Sequence, residues 1–110
     1  MAEQELNEKL AKWRWPDAHT ILVNPSGIHV WLSNDAGGID EYYSLWFTRS
    51  LDACFRWLIP MVSGWEMGST HDGRVSATVW DNKMVKTRRG FDKEPAMALC
   101  KAFEELRKEG

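Results

Sequence analysis

The chain predicts an α+β domain: an antiparallel sheet of about five strands with three helices, in the order α-β-β-α-β-β-β-α. Apolar residues recur at helical spacing near both ends of the chain, and short apolar runs bounded by turn residues lie between them. Hairpin signals join those runs, and no regular βαβ crossover is present, which favours an antiparallel sheet with helices packed on it. Its 110 residues fit one domain, since domains cluster at about 100–150 residues. Apolar residues at 44% and charged residues at 27% are the balance of a globular chain.

The first helix is expected over residues 3–12. Leu6, Leu10 and Trp13 fall at i, i+4 and i+7, forming one apolar stripe, and Glu5–Lys9 and Glu8–Lys12 pair on the outside. Pro16 biases its predecessor towards extended backbone and ends the helix. Ile21–Val23 and Ile28–Leu32 flank Asn24-Pro25-Ser26-Gly27, a turn sequence, and so read as a hairpin. Residues 33–44, with Asn34, Asp35, Gly37 and Gly38, read as a long exposed loop of the kind that carries function.

Ser50 is a good N-cap for the second helix, and Asp52 suits its first turn. Leu51, Cys54, Phe55, Leu58 and Ile59 supply its apolar face; Pro60 and Gly64 end it. A three-stranded meander follows: Trp65–Ser69, Arg74–Trp80 and Met84–Arg89. Asp72-Gly73 makes the first of its turns. Val75, Ala77 and Val79 alternate with Ser76 and Thr78, giving one buried face. The last helix spans 95–108, with Pro95 at its first position and Glu94 or Asp92 capping it. Ala96, Leu99, Cys100, Phe103 and Leu106 form its stripe.

The net charge of −2 argues against a dedicated nucleic-acid binder, which normally carries a basic excess. Cys54 and Cys100 both fall on apolar helix faces and are expected to be buried free thiols in a reducing cytoplasm. The first ten residues lack the apolar core of a secretory signal, and no apolar run approaches a membrane span. A cytoplasmic protein is expected.

Seven tryptophans stand out in so short a chain. Trp13, Trp65 and Trp80 flank periodic apolar elements and are expected in or half in the core. Trp57 belongs to neither group. Trp15, Trp31 and Trp46 lie near turns or the loop and are expected at the surface.

His19, His29 and His71 show no metal-ligand spacing, and Gly-x-Ser-x-Gly is absent. No catalytic residue, cofactor or metal is expected. Two surfaces remain. Tyr42-Tyr43-Ser44-Leu45-Trp46-Phe47 places four aromatics in six residues. Exposed, they would make a partner surface; folded down, a lid over the sheet. Lys83, Lys86, Arg88, Arg89 and Lys93 make the last hairpin basic, with Lys86 and Arg88 on one face of the strand. Such a strand guards a sheet edge against aggregation, or else grips phosphates.

Certain of these segments carry a family resemblance. They are the Glu/Leu helix ending in Trp13-Arg14-Trp15-Pro16, then Phe47-Thr48-Arg49-Ser50-Leu51-Asp52-Ala53, Gly64-Trp65, and Glu94-Pro95-Ala96-Met97-Ala98-Leu99-Cys100-Lys101-Ala102. With this order of elements, the chain resembles the phage ABA sandwich domain family. It departs by having Lys93-Glu94 where that family has a threonine-alanine pair. The resemblance implies an α-β-α layered domain encoded by a bacteriophage or prophage, and no established activity.

The expected function is therefore that of a non-enzymatic, phage-derived accessory protein. Its binding residues would be Tyr42, Tyr43 and Trp46, and its partner another protein or a second copy of the chain, with no membrane. The alternative is a nucleic-acid or nucleotide binder using Lys86, Arg88 and Arg89.

Overall fold

The computed structural model describes residues 3–83 and 85–108. The chain is α+β, with helices α1 (Glu3–Arg14), α2 (starting at Leu51) and α3 (Pro95–Lys108). Among the described residues, six strands form two three-stranded antiparallel sheets rather than one sheet of about five. Sheet A holds β1 (Thr20–Asn24), β2 (Gly27–Ser33) and β3 (Ile39–Ser44) in that order. Sheet B holds β4 (Gly64–Ser69), β5 (Val75–Asp81) and β6 (Lys86–Asp92). Met84, expected to open the last strand, lies outside the described residues.

The added strand corrects the expected 33–44 loop. Only 34–38 is a turn, and one side chain organises it. Asn34 Oδ1 accepts hydrogen bonds from the backbone N–H groups of Ala36 (3.1 Å) and Gly38 (2.9 Å). The chain then returns as β3, pairing Val30 with Tyr42 and Trp31 with Glu41. Asp40 and Glu41 are poor strand formers, but tertiary pairing overrides that propensity.

Helix α1 buries Leu6, Asn7, Leu10 and Ala11 against β1 and α3. Its last turn runs on, since Trp15 N–H bonds Ala11 carbonyl at 2.8 Å. Trp15 therefore sits four residues after Ala11 on the buried stripe. It is only 5% exposed, the reverse of the surface position expected. Its ring stacks on Phe47 at 6.3 Å and meets Trp57 at 5.1 Å.

Segment 47–50 is pinned to α1 by a polar staple. Fully buried Asn7 donates through Nδ2 to the Glu3 carbonyl and to Thr48 Oγ1, both at 2.9 Å. Thr48 Oγ1 in turn donates to Glu3 Oε2 at 2.6 Å, and Arg49 grips the same carboxylate through two N–H groups at 2.9 Å. Each buried polar atom is thereby satisfied, which avoids a desolvation cost of about 1–3 kcal/mol per orphaned group.

Ser50 caps α2 by accepting from Ala53 N–H at 3.1 Å. The helix is regular only for Leu51–Ala53. It widens into a π turn over Cys54–Leu58, where Ile59 N–H reaches back to Cys54 carbonyl, and tightens to a 3-10 turn over Ile59–Met61. Pro60 has no N–H to continue an α-helical ladder, which accounts for the irregular end. Cys54 and Leu58 are fully buried on this segment.

Helix α3 lies across β5 and β6. Gly90 permits the approach: a Cβ there would fall 2.5 Å from Ala102 N and would also strike the Ala98 carbonyl oxygen. Asp92 Oδ2 accepts from Glu94 N–H at 2.9 Å, closing the N-terminal turn of α3. That bond, foremost, holds the Asp92 carboxyl below its usual range. Trp13 of α1 packs on Phe103 of α3 at 5.7 Å. Cys54 and Cys100 are buried free thiols with sulfurs 3.8 Å apart, and burial pushes the Cys100 thiol well up. Trp65 departs from expectation: it is 42% exposed. It lies on β4, beyond the strands α3 covers, and is shielded by Phe55 at 4.8 Å.

Candidate functional site

Strand alternation sorts sheet A into two faces. Val23, Ile28 and Val30 are nearly fully buried and mark the inner one. Cross-strand partners share a face, so Tyr42, opposite Val30, points inward with them. Leu22, His29 and Tyr43 form one outward row across the three strands; Thr20, Trp31 and Glu41 form the next. Ile39, opposite Ser33, extends the outward face.

This outer face is apolar and aromatic. Leu22 is 47% exposed, Ile39 57% and Tyr43 51%, while His29 and Trp31 are half-exposed. The imidazole of His29 lies nearly parallel to Trp31 at 6.2 Å and against Tyr43 at 5.1 Å. Its Nε2 is 3.1 Å from Ser26 Oγ. Tyr43 is fixed as well, its hydroxyl donating to the Ser26 carbonyl at 2.5 Å. Gly27 makes room for that ring. It has φ +144°, and a Cβ there would stand 2.6 Å from Tyr43 Cε2. The turn 24–27 and the face are thus built as one unit: aromatic side chains held in place, with little rotamer freedom left to lose on binding.

The aromatic segment 42–47 is divided by the strand. Tyr42 meets Trp57 edge-on at 6.0 Å on the inner side, and Phe47 is fully buried. Trp46 is half-buried; its indole N–H donates to Asn24 carbonyl at 2.8 Å, and the Arg49 guanidinium lies 4.8 Å above the ring. Of the three aromatic residues expected to bind, the structure places Tyr43 alone on the outer face. It joins Tyr43 to Leu22, His29 and Trp31 across the strands, which a loop over 33–44 would have left apart from it, and to Ile39 along the same strand. Alternation gave no signal for this strand, because Ile39, Glu41 and Tyr43 on one face and Asp40, Tyr42 and Ser44 on the other each mix an acid with a tyrosine.

The basic strand is divided too. Arg88 pairs with fully buried Val79, so Arg88 and Lys86 lie on the helix-facing side of sheet B, as expected of each other. Arg89 points to the opposite side, where its Nε donates to Thr78 Oγ1 at 3.2 Å. Arg88 and Arg89 nevertheless both line a cleft beside α3, together with Arg74 and Lys101. Trp80 is half-buried on that same outer side, lying over Gly64.

That cleft, of about 920 Å³, runs between the start of α1, the β6 strand and α3, lined in part by Leu6, Phe91 and Met97. Several of its charged groups engage one another or neighbouring side chains: Lys101 with Asp92 at 3.0 Å, Glu104 with Arg107, and Glu3 with Arg49. Among the described residues no group of three His, Cys, Asp or Glu side chains is placed to hold a metal ion, and no helix is long and apolar enough to cross a membrane. Compared with protein-family models, curated proteins and solved structures, the chain matches none.

Proposed function

We propose that this chain is a non-enzymatic accessory protein that binds another protein, or itself, on the outer face of sheet A. Its resemblance to the phage ABA sandwich domain supports a bacteriophage or prophage origin and a place of work in the cytoplasm of the bacterial host. One observation carries the binding reading: exposed Leu22, Ile39 and Tyr43 are gathered with His29 and Trp31 on a single face whose aromatic rings are already fixed. Clustered exposed apolar side chains mark interaction surfaces, whereas scattered ones do not. Tyr and Trp also head the residues enriched at such surfaces.

The face suits a protein better than a nucleic acid. Its single formal charge is the carboxylate of Glu41, which repels phosphate. A photo-activatable phenylalanine analogue at position 43 tests the reading in host cells. It is expected to form discrete protein adducts that disappear with Leu22→Glu, while the same probe at position 87 forms none of them. Adducts insensitive to Leu22→Glu would refute it. Binding to a single-stranded oligonucleotide that weakens steeply with salt and vanishes with Arg88→Ala and Arg89→Ala would favour the basic strand instead.

A further inference from the structure

We propose that the free edge of β6 takes an extended peptide segment of another protein as a fourth, antiparallel strand of sheet B, its side chains alternating acidic and apolar. This site is separate from the outer face of sheet A, and neither requires the other. The hydrogen-bond phase of sheet B leaves the edge open. Thr70 N–H bonds the Arg74 carbonyl and Ser63 N–H bonds the Trp80 carbonyl, both at 2.9 Å. Backbone groups alternate sides along an antiparallel strand, so Arg74, Ser76, Thr78 and Trp80 turn theirs towards β4. Val75, Ala77, Val79 and Asp81 turn theirs to Asp92, Gly90, Arg88 and Lys86 of β6. The N–H and C=O groups of Thr87, Arg89 and Phe91 therefore point away from the sheet. The Phe91 carbonyl agrees with this phase, accepting from Lys101 Nζ at 3.2 Å.

Every open sheet has edges, and charge commonly guards them. What sets β6 apart is the space beside it. The cleft of about 920 Å³ is lined by the consecutive residues Arg88–Asp92, whose side chains alternate between the two faces of sheet B. What these residues share is the edge of their strand. The cleft is thus a slot, with the β6 edge as one wall and the start of α1 and α3 as the other. A strand added there is gripped along its backbone by the sheet and through alternate side chains by the walls. A further hollow of about 540 Å³, sharing Glu3, Asp92 and Met97, continues the slot past the start of α3 and gives the rest of the partner chain a way out.

The walls select the peptide. Antiparallel pairing puts the peptide residues opposite Arg89 and Phe91 on the outer side of the sheet, and those between them on the helix side. On the outer side, Arg89 is exposed; it donates to Thr78 Oγ1 and has no ion pair among the described residues. Arg74 stands beside it, its guanidinium 5.1 Å above the Phe91 ring and paired with Asp72. Carboxylates on that side meet two guanidinium forks. On the helix side, Leu6 and Met97 offer apolar surface. The acids that line the slot are already held by cations: Glu3 by Arg49, Asp92 by Lys101, Glu104 by Arg107 and Glu105 by Lys108. Two of the edge carbonyls are guarded, Phe91 by Lys101 and Thr87 by Arg88 Nη1 at 2.7 Å. Both guards are long side chains, and an incoming backbone N–H replaces each one for one.

Nuclear magnetic resonance of the full chain tests this, with an end-blocked hexapeptide alternating glutamate and valine added to about 1 mM, since so short a contact belongs to the weak class of interfaces. The amide signals of Thr87, Arg89 and Phe91 are expected to shift, together with the Met97 methyl, while those of Leu22, His29 and Tyr43 stay fixed. The glutamates lie opposite Arg89 and Phe91, so their amides face the edge. Methylating the glutamate nitrogens should therefore abolish binding, and methylating the valine nitrogens should leave it. Arg89→Glu in the protein, or lysine for glutamate in the peptide, should weaken binding at least about fivefold, and Leu22→Glu should not change it. Arg89 is exposed, and circular dichroism checks that its variant folds. No shift of the edge amides at about 1 mM peptide, or equal loss with both methylated peptides, overturns the proposal. So does an oligothymidylate that shifts the same amides at lower concentration than the peptide, which would make the slot a phosphate site. Capture by the position-43 probe depends on none of these results, so the sheet A reading stands or falls apart from them.

Discussion

Replacing Trp15 by alanine is expected to remove a large part of the stability of this domain. The ring is 5% exposed, lies against Phe47 and Trp57, and carries the Arg14 guanidinium 5.2 Å from its centre. A buried Trp removes about 150–250 Å² from water. At ~25 cal/mol per Å² that is roughly 4–6 kcal/mol as an upper bound. Large-to-small changes at Trp and Phe cost about 3–5 kcal/mol, because the surroundings only partly close the cavity. Phe47 continues directly into the Thr48–Arg49 staple, so collapse of the hole would strain Asn7 and Glu3 as well, favouring the upper half of that range. A small domain has about 5–15 kcal/mol in total, so the melting temperature should fall by about 15–20 °C. Urea unfolding followed by circular dichroism measures this, with Trp65→Ala as the companion. That ring is 42% exposed and should cost about 1 kcal/mol. A loss below about 1 kcal/mol for Trp15→Ala, or a larger loss for Trp65→Ala, would refute the assignment of core and surface tryptophans.

Other outcomes follow from the same contacts. Glu3 has its carboxyl lowered by hydrogen bonds from Arg49 and then Thr48, so its ionised form favours the folded state. Its contribution is present above the ordinary glutamate range and is lost as pH falls through the lowered folded-state value. Glu3→Gln should therefore be less stable than the parent at pH 7, with the gap narrowing in acid; a gap independent of pH between 7 and 3 would contradict this. Gly90→Val should cost at least about 1–3 kcal/mol by thrusting a side chain into the α3 backbone, and an unchanged melting temperature would show that α3 does not sit so close. Ser50→Ala should cost about 1 kcal/mol through loss of the cap on Ala53 N–H, read in the same urea titration.

How far the sequence disclosed this fold depends on which signal each element carried. The outer helices were legible because Leu6 and Leu10, and Leu99, Phe103 and Leu106, follow the helical period so closely. The meander of sheet B was legible because Asp72-Gly73 punctuates it and Val75, Ala77 and Val79 alternate. Strand β3 was hidden by composition. Asp40 and Glu41 disfavour a strand locally, and what holds them there is pairing with Trp31 and Leu32, contacts made across a turn.

That one omission obscured the site, because Tyr43 acquires Leu22 and His29 as neighbours only when β3 forms. Trp15 was misplaced for a related reason. Pro16 marks the end of regular helix, but one further turn forms before it and carries Trp15 onto the buried stripe. Trp65 went the other way, since the inward pattern of β4 does not say how far α3 reaches across the sheet.

The central claim is that the outer face of sheet A is the surface through which this protein associates. Amide and indole chemical shifts, followed by nuclear magnetic resonance as the chain is concentrated and as the protein captured by the position-43 probe is added, test it most directly. Shifts confined to residues 20–22, 29–33 and 39–43, including the Trp31 indole and leaving β6 and α3 unmoved, are the predicted result. Shifts centred on Lys86–Asp92 or on α3, with the Leu22, His29 and Tyr43 signals fixed, would contradict it.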